Sequence, residues 1–527
     1  MISVIYHQVI LDSAIFKKTI SQKAESFILA NRVVLSQTFF YETRAIMPAL
    51  DNTSRRVLIN NLNRIVCMIK NRGYTMTVLN EPFDVCQKAV QLSLLGNNTC
   101  VITENELIIN RLLSGNVYVD VYDLNCDNLI HHNTRIIPNT IHIDNSSRIT
   151  ERIVGIKSGS RLSLHNDTSI VLGEPIGTPG REGKVYSVIG HPDIVAKIYK
   201  KHPSSQRGLH LERLASLSNL KNLEWCLLPK DLLYYQGELV GFTMAKVTTE
   251  MLSNDTLYLG DDEGIEENRL SLRRSYTLSF CLMILAQIKI LNCYGICVPD
   301  YNDGNFSMFY PNNPVTMFDT DSFAESSYFG KTVDDTCFSR NYNTENNEQL
   351  CEMCEEGALK FIFRLISLGL YPFGGKDQPY QFSDNNSQYD YRRRYFPDNV
   401  ITYLGEVFMA RQLPSLSVCI QMISVALNEL TANPQKDITV RQMCLEAQII
   451  QDPFSVVFPL GGCQTKSGYV GLNTSANTET KKNQTITSIP VPETIKKRKH
   501  HFWPWAASIL VLLGGIAYYF FSQGTLF

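Results

Sequence analysis

Charge is scarce in this chain and nearly balanced. Charged residues make up 19% of its 527 positions, and 49 Lys and Arg stand against 51 Asp and Glu, a net charge of −2. That balance removes the electrostatic case for a general nucleic-acid binder, which needs a basic face. Zinc-type cysteine pairs are missing too. The 14 cysteines are scattered, and Cys351 and Cys354, the one Cys-x-x-Cys, have no second pair at ligand spacing, so they predict structural thiols. No secretory leader opens the sequence, which points to a reducing compartment. His131, His132 and His142 lack the spacing of a complete ligand set and predict surface histidines. Internal repeats and heptads are also lacking. What is present is a globular composition, 44% hydrophobic, in a chain long enough for two or three domains.

Residues 171–323 hold groups suited to phosphate chemistry. VLGEPIGTPGREGKVYSV places Gly177, Gly180 and Gly183 between two strand-like runs, where a bare backbone can lie over phosphates. Lys197 follows the β-branched pair Ile194 and Val195, and a buried lysine needs an anionic partner. Glu212, in the helix-like GLHLERLASL, is the expected partner, with Glu224 as the alternative. Farther on, VPDYNDGNFSMF supplies Asp300 and Asn305, and VTMFDTDSF supplies Asp319 and Asp321. Phosphoryl transfer is mostly positioning and charge neutralisation, and it uses donors to phosphate, carboxylates to metal and one carboxylate to the acceptor hydroxyl.

These motifs, with FIFRLISLGLYPFGG at 361–375, make residues 162–430 resemble a bacterial protein kinase of the eukaryotic type. The similarity is greatest to a divergent group with an IDxDSF metal motif. The resemblance implies an ATP site formed by Gly177, Gly180, Gly183, Val185, Lys197 and Glu212, with Met244 to Val247 as a hinge whose backbone, at Met244 and Lys246, holds adenine. It implies Asp300 as the catalytic residue. It also implies that Asn305 and Asp319, or Asp321 in its place, hold Mg2+ or Mn2+.

The departures are specific. Val298-Pro299 stands where the family keeps His-Arg, so the arginine that reads a phosphorylated loop is absent. Thr320-Asp321 replaces Phe-Gly, residues 324–349 show no Pro-Glu end signal, and the helix aspartate expected near 354–356 is missing. An active kinase and a pseudokinase both stay open, and control by loop phosphorylation is not expected.

The first 125 residues alternate strand-like and helix-like runs, which predicts a parallel sheet whose strand ends collect functional side chains. Asp12, Glu42 and the turn 103–106 all follow apolar runs. ILDS at 10–13, YET at 41–43, the helix bearing Asp84 and ITEN at 102–105 resemble the PIN-domain family of metal-dependent ribonucleases. That resemblance implies a metal site of Asp12, Glu42 and Asp84, with Asn105 in the fourth acidic position.

Near the C-terminus lies the one long apolar run. KKRKHH at 496–501 precedes an uncharged stretch, 502–521, long enough to cross a hydrocarbon core of about 30 Å as a helix. Trp503 and Trp505 on one side and Tyr518 and Tyr519 on the other read as interfacial anchors, and the basic cluster should stay cytoplasmic. Residues 463–501 are too polar to bury a core and predict a disordered basic tether.

The expected architecture is therefore multidomain. It comprises a PIN-like α/β domain with a parallel sheet (1–125), a linker (126–160), a bilobal α+β kinase-like domain (161–430), a C-terminal extension (431–462), the tether and a single transmembrane helix (502–521). Two functions follow from this. One is a membrane-tethered serine/threonine kinase, tail-anchored in a bacterial inner membrane with its N-terminal domains cytoplasmic, acting on protein substrates in signalling. The other is a PIN ribonuclease or scaffold regulated by a pseudokinase. The resemblances imply RNA as a partner of the N-terminal domain, and a metal-dependent protein phosphatase and a von Willebrand A-type protein as partners of the kinase.

Overall fold

The computed structural model describes residues 6–124, 142–144, 151–247, 272–330, 347–366 and 415–442, apart from a few positions inside these ranges, with isolated strand pairs elsewhere. Most of the expected linker, most of the C-terminal extension, the tether apart from a strand pair at Gln464–Thr465 and Gly468–Tyr469, and the span 502–521 lie outside the described residues.

The N-terminal sheet is parallel throughout, in the order β3-β2-β1-β4-β5. Its strands are β1 (Gln8–Leu11), β2 (Val33–Ser36), β3 (Met76–Leu79), β4 (Thr99–Ile102) and β5 (Asp120–Tyr122). VVLS and TCVI are buried at every position, as strands covered by helices on both faces must be. Helices α1 (Gln22–Ala30), α2 (Gln37–Ile46), α3 (Asn52–Asn71), α4 (Val85–Leu94) and α5 (Glu106–Ser114) make the connections. Ser21, Ser36 and Asp84 cap α1, α2 and α4 by accepting from backbone amides. The strand order reverses between β1 and β4, and the crevice at their carboxyl ends is where α/β sheets gather ligands.

After β6 (His142–Asp144) comes a small lobe, a closed barrel in the order β10-β12-β11-β7-β8-β9. Its strands are β7 (Arg161–Leu164), β8 (Ser169–Ile176), β9 (Gly183–Val188), β10 (His191–Tyr199), β11 (Leu232–Tyr235) and β12 (Glu238–Ala245), with α6 (Ser205–Leu217) between β10 and β11. Ile153 and Ile156, expected in the linker, pack against the barrel core.

The large lobe is built on α7 (Arg274–Asn292), α8 (Asn347–Ile366) and α9 (Leu416–Ala432), with β13 (Leu252–Ser253) nearby. Helix α7 is apolar all round and lies inside the core. Among the described residues it is the one helix long and apolar enough to cross a membrane, and its burial marks it as a core helix. A hairpin of β15 (Phe306–Met308) and β16 (Thr316–Met317) sits on it. Beside this lies a four-stranded sheet ordered β14 (Ile296–Cys297), β17 (Ala324–Glu325), β18 (Tyr328–Gly330) and β6.

The expected boundary near residue 125 is not a structural one. Met1–Thr474 forms one compact unit, separate from Ser475–Phe527. One hydrophobic cluster includes Val9, Leu35 and Phe39 together with Phe280, Ile284 and Ile420. Helix α2 packs directly on α7 and α9. The parallel sheet and the large lobe therefore share a core. Strand β6 adds a second link, pairing in parallel with Tyr328–Gly330 just after the DTDSF motif.

Candidate functional site

Strand alternation places Lys197 and Tyr199 on the same face of β10. On the other side of the cleft, β15 and β16 pair at Phe306 with Met317, and the Phe318 amide donates to the Asn305 carbonyl at 2.8 Å. This brings Asn305 and Asp319 to the same end of the hairpin. Asn305 Nδ2 donates to the Asp300 carbonyl at 3.4 Å, leaving Oδ1 as the atom for a cation. Tyr301, Phe306 and Phe361 stack beneath, fixing the floor of the site from α8.

Asp319 occupies the left-handed region (φ 51°, ψ 37°), which a non-glycine residue adopts at a cost. Two hydrogen bonds hold the turn: Ser322 Oγ donates to the Asp319 carbonyl at 2.8 Å, and Thr320 Oγ1 donates to the Leu227 carbonyl at 2.7 Å. The turn delivers both aspartates to Lys197. Nζ forms an ion pair with Asp319 and another, at 2.6 Å, with Asp321. Burial alone would lower the Lys197 pKa, but the Asp321 and Asp319 carboxylates outweigh it and raise it above the ordinary lysine value.

The two aspartates differ in kind. The Asp319 side chain is 45% exposed, and that of Asp321 is 1% exposed. Asp321 also accepts from Tyr199 Oη at 2.7 Å and pairs with Arg207 at 3.0 Å. Burial opposes its ionisation, yet Lys197 and then Arg207 hold its carboxyl below the ordinary range. Asp321 is thus saturated by protein groups, whereas Asp319 keeps an open side.

Glu212 is not the partner of Lys197. It is exposed on α6, and Glu224 is exposed elsewhere, beside a cleft lined by Leu50 and Trp225. The α6 residue that reaches the site is Arg207, which joins Asp321 to Glu182 of the glycine loop at 2.6 Å. Farther along the helix, His210 stacks on Tyr328 at 4.2 Å and approaches Glu325 at 3.2 Å. The sequence signal for Arg207 was weak: it lies one turn into the right helix, but arginine is not the residue type sought there.

The glycines divide likewise. Gly177 takes a positive φ of 67° in the open loop, whereas a Cβ on Gly183 would lie 2.7 Å from the Ile198 carbonyl, so Gly183 serves the β9–β10 approach. Val185 pairs across from Lys197 on β9. Met244 pairs with Val195 in β12, and the Lys246 amide donates to the Asp193 carbonyl at 2.8 Å, so that amide is not free for a base. Val298, at the histidine position of the expected His-Arg pair, is buried in the core.

The N-terminal acids also converge, around a lysine of the large lobe. Asp12 and Glu42 are buried at the carboxyl edge of the sheet, and Lys289 of α7 lies 3.7 Å from Glu42. Asp84 and Asn105 instead accept from helix amides at the starts of α4 and α5. Among the described residues no group of three or more His, Cys, Asp or Glu stands in a metal-holding arrangement.

No protein-family model matches this chain, and no curated protein matches it. Solved structures similar to it include the ROP18 kinase domain in complex with AMP-PNP and sucrose. That match has 13% identity and a TM-score of 0.34, over 52% of this chain and 86% of that one. Vaccinia related kinase 3 is similar at 12% identity and TM-score 0.34, over 54% and 94%. Likenesses of that strength decide nothing alone; the chain's own geometry has to carry the functional reading.

Proposed function

We propose that this chain is an ATP-dependent phosphotransferase that phosphorylates protein hydroxyls from the cleft between the barrel and the large lobe. One observation carries the proposal: Lys197 and Asp319, 122 residues apart, meet across the cleft, with Asn305 at the foot of the adjoining hairpin and Asp300 in the loop that leads into it. A phosphate-binding cation, a half-exposed carboxylate, an amide oxygen and a second carboxylate are the groups phosphoryl transfer uses.

Oxygen donors of this kind suit Mg2+ or Mn2+, and Asp319 with Asn305 Oδ1 would hold it. Bound as the ATP complex, the ion would supply charge neutralisation at the phosphates. Lys197 releases part of its hold on Asp319 to meet phosphate oxygens, while Asp321 keeps the ammonium aimed into the cleft. Asp300 orients the acceptor hydroxyl and takes its proton. Arg207 ties the glycine loop, through Glu182, to the same anchor. Pro299, at the arginine position of the resembled His-Arg pair, offers no cation to a loop phosphate, so the site is competent without loop phosphorylation. Membrane attachment through 502–521 belongs to the same proposal and rests on that stretch alone.

The test is transfer of labelled phosphate by the purified full chain with Mg2+, beside Asp319→Asn. Losing a preorganised charge contact should lower transfer roughly 100- to 1,000-fold. Equal transfer by both proteins would remove Asp319 from the site, and a wild-type chain that neither binds nor cleaves ATP would end the proposal.

A further inference from the structure

The N-terminal sheet places its acids where a metal-dependent nuclease would need them, and the same place holds a lysine. Asp12 follows β1, the Thr103–Asn105 turn follows β4, and Glu42 lies on α2 behind β2, so all three surround the crevice where the strand order reverses. Asp12 Oδ2 is taken by the Thr103 hydroxyl at 2.7 Å and the Ala14 amide at 3.2 Å. Asp12 Oδ1 and Glu42 Oε1 are buried without a hydrogen-bond partner. A sequestered carboxylate oxygen demands a cation.

The cation present is Lys289. It comes from the last turn of α7, 3.7 Å from Glu42 Oε1 and 3.5 Å from Ser417 Oγ of α9, with its side chain 8% exposed. Burial alone would lower its pKa, but Glu42 most strongly, then Asp12, Asp84 and Glu355, raise it above the lysine range. Three of the four groups expected to bind metal thus act on this ammonium. A divalent ion would have to sit against a fixed positive charge, in a crevice closed by α7. The donor set does not fit a metal.

We infer that Lys289 is the resident cation of this acidic edge, and that the N-terminal unit acts as an α/β brace locked onto the phosphotransferase core instead of a metal-dependent nuclease. Neighbouring contacts fit a lock. Lys17 Nζ donates to the Cys293 carbonyl at the end of α7 at 2.7 Å, Arg111 of α5 pairs with Glu352 and Glu355 of α8, and Trp225 Nε1 donates to the Ala49 carbonyl at 3.1 Å. The sheet is thereby tied to both large-lobe helices that support Asp300 and Asn305.

The experiment uses the full chain carrying Asp319→Asn, which removes the half-exposed carboxylate of the other candidate metal site and isolates the question from the phosphotransferase proposal. Mn2+ is titrated while bound ion is measured by electron paramagnetic resonance, and the unfolding temperature is followed with and without Mn2+. The expected result is no saturable Mn2+ binding, no Mn2+-dependent rise in unfolding temperature and a marked fall in that temperature on adding Lys289→Met. Saturable Mn2+ binding that Glu42→Gln abolishes would overturn the inference, as would Lys289→Met unfolding at the unchanged temperature. If Lys289→Met yields no folded protein, Lys289→Arg, which keeps the charge, should fold. Failure of both would show that the site needs the lysine's shape and not its charge, and would also overturn the inference.

Discussion

Asp319 and Asp321 stand two residues apart on one turn and both meet Lys197, yet replacing each with asparagine should have opposite consequences. Asp321 is 1% exposed and compensates two buried cations, Lys197 and Arg207, while accepting from Tyr199. Asparagine preserves its shape but leaves each cation short of a counter-charge. Breaking a buried pair by removing one partner costs about 3–5 kcal/mol, a large share of a domain's stability. Asp319 is 45% exposed, and an ion pair of that exposure contributes about 0–1 kcal/mol, so Asp319→Asn should unfold close to wild type. Urea unfolding of the full chain reads both numbers. The pH dependence supplies a sign. The Asp321 pKa is depressed in the folded state by Lys197 and Arg207 against the opposing effect of burial, from an ordinary value of 3.8. Its contribution is present above that value and is lost as pH falls below it, so the gap between wild type and Asp321→Asn should narrow below about pH 4. The activity order reverses: Asp319→Asn should lose transfer while folded. Equal destabilisation by the two variants, or an Asp321→Asn cost under about 1 kcal/mol, would refute the division of labour between them.

Glu212→Ala should change stability by no more than about 0.5 kcal/mol and leave transfer intact, since the side chain is exposed and away from Lys197; a kinase assay with urea unfolding checks both. Lys197→Met should abolish transfer and also destabilise by about 3 kcal/mol or more, because it leaves Asp321 buried beside a single cation; a fully stable variant would contradict that packing. Glu355 has its pKa pushed up to about 7, chiefly by burial and against the pull of Arg111, so its stabilising effect is present below 4.5 and fades as pH rises to about 7. Glu355→Gln should flatten that decline in a pH series of unfolding temperatures. Deleting residues 502–527 should move the protein from the membrane to the soluble fraction and leave ATP binding unchanged; loss of nucleotide binding would place that stretch in the folded core.

What the sequence revealed depended on how local the signal was. Lys197, Asp300, Asn305 and Asp319 sit in short apolar frames, AKIY, VPDYNDGN and MFDTDS, whose strand and turn character can be read directly; the hairpin joins Asn305 to Asp319, and the ion pair joins Asp319 to Lys197. Glu212 shares the helix of Arg207 but not its phase. It lies five residues beyond Arg207, about 140° around the axis, on the side away from the face that carries His210, Leu211 and Leu214 inward. A hydrophobic-face count would have excluded Glu212, but it would not have predicted an arginine bridging two acids. The N-terminal strand ends were legible for the same local reason, since the apolar runs Val9–Leu11 and Cys100–Ile102 end at Asp12 and Thr103.

Lys289 was not legible, and the reason is physical. In LAQIKILN it reads as the single charged residue of a mostly apolar helical run, a pattern equally consistent with a lysine reaching to the surface. Its partner Glu42 lies 247 positions earlier, and nothing local requires α2 to cross α7. The shared core forces that crossing. Helix α2 packs on α7 and α9, and its Phe39 and Ile46 belong to the same buried cluster as Ile284, Ile288 and Ile420. Once those surfaces meet, the acid on α2 and the base on α7 are carried inward together, and each makes the other's burial tolerable. The same packing that joins the parallel sheet to the large lobe thus closes the acidic edge, so the two properties should be lost together when α2 is pried from α7.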